Sequence, residues 1–230
     1  MTAIASSERP KVVQPSKILA FGDSLVYGYG DPDGGGWAER LRRRWLGIDG
    51  PILYNLGVRG DRLGQVCDRF ESEFSRRGEL RNQLPQGVIV CVGVNDSARL
   101  GRNTGRHFTE LEQFQQQWWS LLSQIRKYCP VLVVGMVPVD ESKMPFIDCL
   151  YYSRASQYLY KEATKAVCQT HQVPYLDTFD LWRAQGEDWI QARLCADGLH
   201  PNSAGHEAIF DAVTTWSAFS QLQSPTVAIA

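Results

Sequence analysis

No apolar run in this chain reaches the ~18–20 residues a membrane span requires, so stable insertion through a helix is not expected. The first residues carry Glu8, Arg9 and Lys11 around no apolar centre. They read as a loose leader instead of a signal peptide, and the cytoplasm is the expected location. An excess of charge of one sign is also missing. The formal net charge of −1 exerts no overall pull towards nucleic acid or acidic lipid. Six cysteines (Cys67, Cys91, Cys129, Cys149, Cys168, Cys195) are scattered without a C-x-x-C pair, which speaks against a zinc site and a disulfide framework alike. Cys91 and Cys168 fall in apolar runs that suit buried free thiols. No G-x-x-x-x-G-K-[ST] cradle for phosphate is present, and no H-E-x-x-H for a catalytic metal.

Low-complexity linkers and internal repeats are absent too, and the 230 residues suit one α/β domain better than two. We expect a leader over 1–16, a single domain over 17–222 and a tail over 223–230. Near-continuous apolar runs at 18–21, 52–56, 88–92, 131–136 and, more weakly, 174–176 read as strands covered on both faces. Between them the apolar spacing becomes helical. Phe108, Leu111, Phe114, Trp118, Leu121, Leu122, Ile125 and Tyr128 form one stripe. Tyr151, Ala155, Leu159, Ala163 and Val167 form a second, and Ile209, Val213, Trp216 and Phe219 a third. One of the tandem Trp118 and Trp119 lies on its stripe, which assigns it to the core. Arg40, Arg42, Arg43 and Arg44, set around Leu41 and Trp45, read as the wet side of an amphipathic helix. Strand–helix alternation of this length implies a three-layer domain, a five-stranded parallel sheet with helices on both faces.

In such a sheet ligands bind at the carboxyl edge, where the strand order reverses. If the order is 2-1-3-4-5, the loops after the first three strands share one crevice. The first carries Gly22-Asp23-Ser24-Leu25, the second Asn55 through Gly60-Asp61, and the third Gly93-Val94-Asn95-Asp96. Acyl transfer needs a nucleophile, a base and donors for a developing oxyanion. Ser24 offers the hydroxyl. Its own N–H, the N–H of Gly60 and the side-chain amide of Asn95 offer the donors. Asp197-Gly198-Leu199-His200, just before the last helix, offers the base. A carboxylate three residues from a histidine can fold back onto its Nδ1–H and leave Nε2 free. Asp96 reads as a turn or capping residue.

His107 and His171 sit near helix ends and are expected to be exposed. His206 lacks the partners a metal would need, and no metal site is expected. Gly28, Gly30, Gly34, Gly35 and Gly36 read as a flexible lip before a helix that begins near Trp37.

The four blocks, in this order, make the chain resemble the SGNH, or GDSL, hydrolases. Gly22-Asp23-Ser24-Leu25 is similar to the nucleophile block, Asn55 to Asp61 to the block whose glycine serves the oxyanion hole, Gly93 to Asp96 to the asparagine block, and Asp197 to Asn202 to the last. The resemblance implies a flavodoxin-like fold and hydrolysis of an ester, thioester or O-acetyl bond without a cofactor. The expected partner is a small-molecule acyl ester, not nucleic acid. G-x-S-x-G is absent, so the α/β-hydrolase fold is not suggested despite the shared chemistry. One departure is Arg59, where many relatives carry Ser or Thr. Pointing into the cleft it would favour an anionic substrate, and a surface role is equally open. Phe146, in a loop or lid over 138–152, and Trp189, shortly before the Asp197 turn, are further candidate substrate contacts. Two rivals share the same cleft, a non-catalytic acyl- or glycan-binding module and an acyltransferase that delivers to a sugar or alcohol.

Overall fold

The computed structural model describes residues 16–47, 50–77 and 84–223. The expected leader, apart from Ser16, and the expected tail, apart from Gln223, lie outside them. In chain order the elements are β1 (Lys17–Gly22), α1 (Ser24–Tyr27), α2 (Trp37–Arg44), β2 (Ile52–Gly57), α3 (Leu63–Arg76) and β3 (Gly87–Cys91). They continue with β4 (Arg99–Leu100), α4 (Leu111–Ile125), β5 (Val131–Val134), β6 (Leu150–Tyr151), α5 (Arg154–Thr170) and β7 (Tyr175–Leu176). Four helices complete the described residues: α6 (Thr178–Arg183), α7 (Glu187–Gln191), α8 (Ser203–Thr215) and α9 (Ser217–Gln223). Every expected strand is present to within two residues at either end.

Strands β2, β1, β3, β5 and β7 lie in that order in one sheet, all parallel. This is the 2-1-3-4-5 arrangement. β1, β3 and β5 are buried along their whole length, which is why their sequences are apolar without alternation. Helices α3, α4 and α5 pack side by side on the sheet, as do α2, α8 and α9, giving the three layers.

Several local expectations need correction. Phe108 and Tyr128 lie outside α4, whose buried face is Phe114, Trp118, Leu121, Leu122 and Ile125; Trp119 is 52% exposed. The stripe assigned to α5 is rotated. Ala155 and Leu159 face water, and Tyr151 belongs to β6, which pairs with β4. The buried face of α5 instead carries Gln157, Tyr160, Lys161 and Thr164 beside Ala163, Val167 and Cys168. Polar groups can be buried there because each is matched. Gln157 donates to Val137 O (2.9 Å) and accepts from Val139 N–H (3.0 Å), while Lys161 meets Asp177 at 2.9 Å. The third stripe is split between two helices, since Trp216 takes an extended conformation after α8.

His171 is buried, its ring 4.4 Å from that of Trp119, and His107 is half-buried, 3.1 Å from Ser156 Oγ. Both lie where α5 meets neighbouring structure, so neither is exposed. The glycine lip is a tied turn. Asp31 accepts from Gly34 N–H (2.8 Å), Gly36 N–H (3.0 Å) and Arg40 Nε (3.1 Å). A Cβ on Gly36 would come within 2.2 Å of Gly28 Cα. Arg40 therefore turns inward, while Arg42 and Arg43 pair with Glu39 on the wet side of α2.

At the carboxyl edge Gly22 is level with Gly57 of β2 and Cys91 of β3. The chain must leave β1 here within touching distance of β3. A Cβ on Gly22 would stand 2.0 Å from the Cys91 carbonyl oxygen and 2.5 Å from Val26. Because the obstacle is backbone, Gly22→Ala should cost about 3 kcal/mol of unfolding free energy, the upper end for overpacking. Urea unfolding measures this, and an unchanged midpoint would contradict the close approach.

Candidate active site

Ser24 opens the single-turn helix α1 directly after β1. Asp23 caps that helix, its Oδ1 accepting from Leu25 N–H at 2.9 Å, and Gly28 ends it in a left-handed conformation. A first-turn N–H has no carbonyl within its own helix to bond. The Ser24 N–H, beside its own hydroxyl, is one such donor.

The Asp197 turn is built to hold a ring. Asp197 Oδ1 accepts from the backbone N–H groups of Leu199 (2.9 Å) and His200 (3.0 Å), and Oδ2 accepts from His200 Nδ1 at 2.7 Å. Gly198 takes φ +66°. Asn202 caps α8 through Gly205 N–H and donates back to Ala192 O and Leu194 O. Burial pushes the Asp197 carboxyl up, but the bonds from the His200 ring, the His200 backbone and Leu199 outweigh it and hold the group below its ordinary range. An ionised carboxylate only accepts, so Nδ1 carries a proton, and in the neutral ring this leaves the lone pair on Nε2. The Ser24 hydroxyl lies 3.0 Å from that Nε2. The structure thus brings together Ser24, His200 and Asp197 across 176 residues of sequence separation.

Gly60 and Asn95 occupy the two neighbouring loops. Gly60 is exposed with φ +81°, and nothing lies within 4 Å of where a Cβ would stand. Its requirement for glycine is the left-handed backbone, with open space alongside. Asn95 is buried. Its Nδ2 donates to Asp61 O (2.9 Å), and its Oδ1 accepts from the Tyr152 hydroxyl (3.1 Å). Asp61 in turn meets Arg69 Nε at 2.8 Å, and Arg69 Nη2 reaches Gly22 O at 3.0 Å. Asn55 adds a tie from β2 to α1, donating to Val26 O at 2.9 Å. Asp96 is buried and accepts from Leu63 N–H at the start of α3 and from Thr109, the capping role expected of it.

Around the histidine, the Tyr29 and Phe146 rings pack edge-on at 4.5 and 5.8 Å. Arg59 is exposed on the rim, its guanidinium 3.9 Å above the Tyr29 ring. Trp189 meets Trp182 and the Arg193 guanidinium, and none of its ring contacts is to Ser24, Asp197 or His200. A groove of about 550 Å³ runs beside Asp197, lined by Tyr27, Tyr29, Pro32 and Cys195 among others. His206 is fully buried. It accepts from Trp37 N–H at Nδ1 (3.3 Å) and donates from Nε2 to Tyr29 O (3.0 Å), pinning the loop that bears Tyr29. Among the described residues no cluster of three or more His, Cys, Asp or Glu could hold a metal ion. Sequence reading missed Tyr29, Arg69, Tyr152 and the structural part of His206. Each acts through a partner distant in the chain, and no local pattern marks it.

Asp23 is buried next to Ser24, and its Oδ2 has no hydrogen-bond partner among the described residues. Burial, opposed by the Leu25 N–H and reinforced by the charges of Asp96 and Asp61, pushes its carboxyl from 3.8 up to about 7. Between these values the folded chain holds a proton the unfolded chain has lost. Its stabilising contribution is therefore complete below about pH 4 and is lost as pH rises through about 7. Asp23→Asn keeps the acceptor for Leu25 and removes the titration. The stability of this variant relative to the parent should rise between about pH 5 and pH 8 in urea unfolding, whereas parallel pH curves would contradict a protonated Asp23.

Comparison with known proteins bears on the fold and the family. The family model described as GDSL-like Lipase/Acylhydrolase matches residues 20–208. A GDSL esterase/lipase of Arabidopsis thaliana is 26% identical over 214 residues, covering 86% of this chain and 83% of its own. Among solved structures, the lipase/acylhydrolase from Enterococcus faecalis superposes with a TM-score of 0.68 at 20% identity, over 86% of this chain and 93% of its own. The acetylxylan esterase Axe2 from Geobacillus stearothermophilus gives a TM-score of 0.65 at 18% identity, over 88% and 94%. Likeness at these identities carries the fold, and the family match over most of the length carries the class. The chain belongs to the GDSL-like lipase/acylhydrolase family and is a hydrolase of ester bonds.

Proposed function

We propose that the protein cleaves a small-molecule acyl ester by double displacement at Ser24. The observation that carries this reading is the single imidazole that bonds Asp197 through one nitrogen and the Ser24 hydroxyl through the other. As Ser24 Oγ attacks the acyl carbon, its proton passes to His200 Nε2, and the Asp197 carboxylate stabilises the imidazolium. The carbonyl oxygen becomes an oxyanion facing the Ser24 N–H, the Gly60 N–H and the second N–H of Asn95 Nδ2. Collapse breaks the bond to the alcohol oxygen, which takes the proton from His200 and leaves. Water then gives a proton to the same nitrogen as it attacks the acyl-serine. A second tetrahedral intermediate releases the acid and returns the proton to Ser24. Phe146 and Tyr29, flanking the imidazole, supply apolar walls for the substrate. Arg59 lies beyond Tyr29 as a rim charge.

The purified protein should hydrolyse a short-chain aryl ester. Ser24→Ala should lose at least ~10³-fold in kcat, the scale seen when such a nucleophile is removed. Asn95→Ala should lose ~10²–10³-fold, mostly in kcat, because the bond it deletes strengthens only as charge develops. Retention of full activity by Ser24→Ala in steady-state assays contradicts the mechanism.

A further inference from the structure

We infer that Tyr152 is a positioning residue for the proposed oxyanion hole, locking the Asn95 amide with one N–H aimed at the reacting oxygen. The inference rests on the ester-hydrolysis reading above and concerns a residue outside the four sequence blocks.

An asparagine side chain has one acceptor atom and one donor atom with two hydrogens, and it is nearly symmetric in shape. Flipped by a half-turn, Asn95 would present a carbonyl oxygen to the substrate oxyanion and repel it. Two fixed groups prevent this. The Asp61 carbonyl can only accept, so it must face Nδ2, which it does at 2.9 Å. Oδ1 is then left buried on the opposite side and needs a donor. The Tyr152 hydroxyl supplies one at 3.1 Å. With those bonds made, a single N–H of the amide remains unspent.

Tyr152 is well suited to act as a fixed donor. It is 2% exposed. Burial, with the Asp23 and Asp96 charges next, pushes its phenol far above the usual range, so it keeps its proton at any working pH. Its backbone is held between β6, where Tyr151 pairs with Arg99, and Ser153, the N-cap of α5. Its ring packs edge-on against Phe146 at 6.3 Å, and Phe146 is the residue whose ring meets His200. A tight hairpin holds Phe146 in place, closed by its two backbone bonds with Leu150 and carried through positive φ at Ile147 and Asp148. One short stretch of chain therefore braces both the imidazole and the amide. A donor to Oδ1 also polarises the amide and strengthens the N–H on its far end.

Tyr152→Phe removes the hydroxyl and keeps the ring, so packing against Phe146 survives. Its kcat should fall by roughly three- to tenfold, the worth of one hydrogen bond, with KM held within about twofold. In an Asn95→Ala background the same substitution should leave kcat unchanged, because the group it orients is gone. An equal loss in both backgrounds, or a loss confined to KM, overturns the proposal. A second readout does not need turnover. By side-chain amide NMR, the Asn95 NH₂ pair should exchange with solvent about tenfold faster in Tyr152→Phe while the β3 backbone amides keep their rates. Unchanged side-chain exchange overturns the positioning role. Faster exchange in a protein that cleaves no ester supports the positioning role and sinks the ester reading alone.

Discussion

A carboxylate that can only accept decides which nitrogen of His200 carries the proton, and the chemistry proposed for this fold depends on that choice. Asp197 makes it with one oxygen while its other oxygen gathers the backbone of Leu199 and His200. The ring is thus fixed in tautomer and direction by three residues of local chain. What is not local is where the ring points. It meets a serine at the other end of the domain, and the sheet makes that meeting possible.

The sheet delivers three loops to one edge, but adjacency of strands does not by itself set side chains to within a few tenths of an ångström. A chain of polar ties does. Gly22 O, Arg69, Asp61 and Asn95 bond in sequence, which ties together the end of β1, the loop after β2 and the loop after β3. On the opposite side His206 fixes the Tyr29 loop to the start of α2 and to α8, and the Tyr29 ring closes on His200. Burial lowers the His206 pKa. The neutral ring can then donate and accept at once, which a protonated ring could not. Buried polar groups here trade desolvation cost for geometry, and the geometry is what an oxyanion site requires.

The sequence made the strands and the Ser24, Asp197 and His200 positions legible for a common reason. Strands buried on both faces write themselves as uninterrupted apolar runs, and the serine and histidine motifs are short and local. The α5 face was illegible because apolar periodicity cannot register a buried Gln157 or Lys161 whose partners lie on other elements. The glycine lip looked loose for a similar reason, since Asp31, which ties it, is an ordinary acidic residue until its three donors are seen. Trp189, a candidate by its nearness in sequence to the Asp197 turn, packs its ring against Trp182 and the Arg193 guanidinium. Tyr152 left no trace at all, because its meaning resides wholly in the amide it faces.

The central assertion is that the Ser24 hydroxyl is activated by His200, and it can be tested on a single atom. A fluorophosphonate reacts with an activated serine and leaves a covalent adduct that peptide mass spectrometry can locate. One adduct per chain on the Ser24 peptide, formed quickly in the parent and lost or greatly slowed in His200→Ala, is the result expected. No adduct at Ser24, or one formed equally fast without the imidazole, would contradict the account.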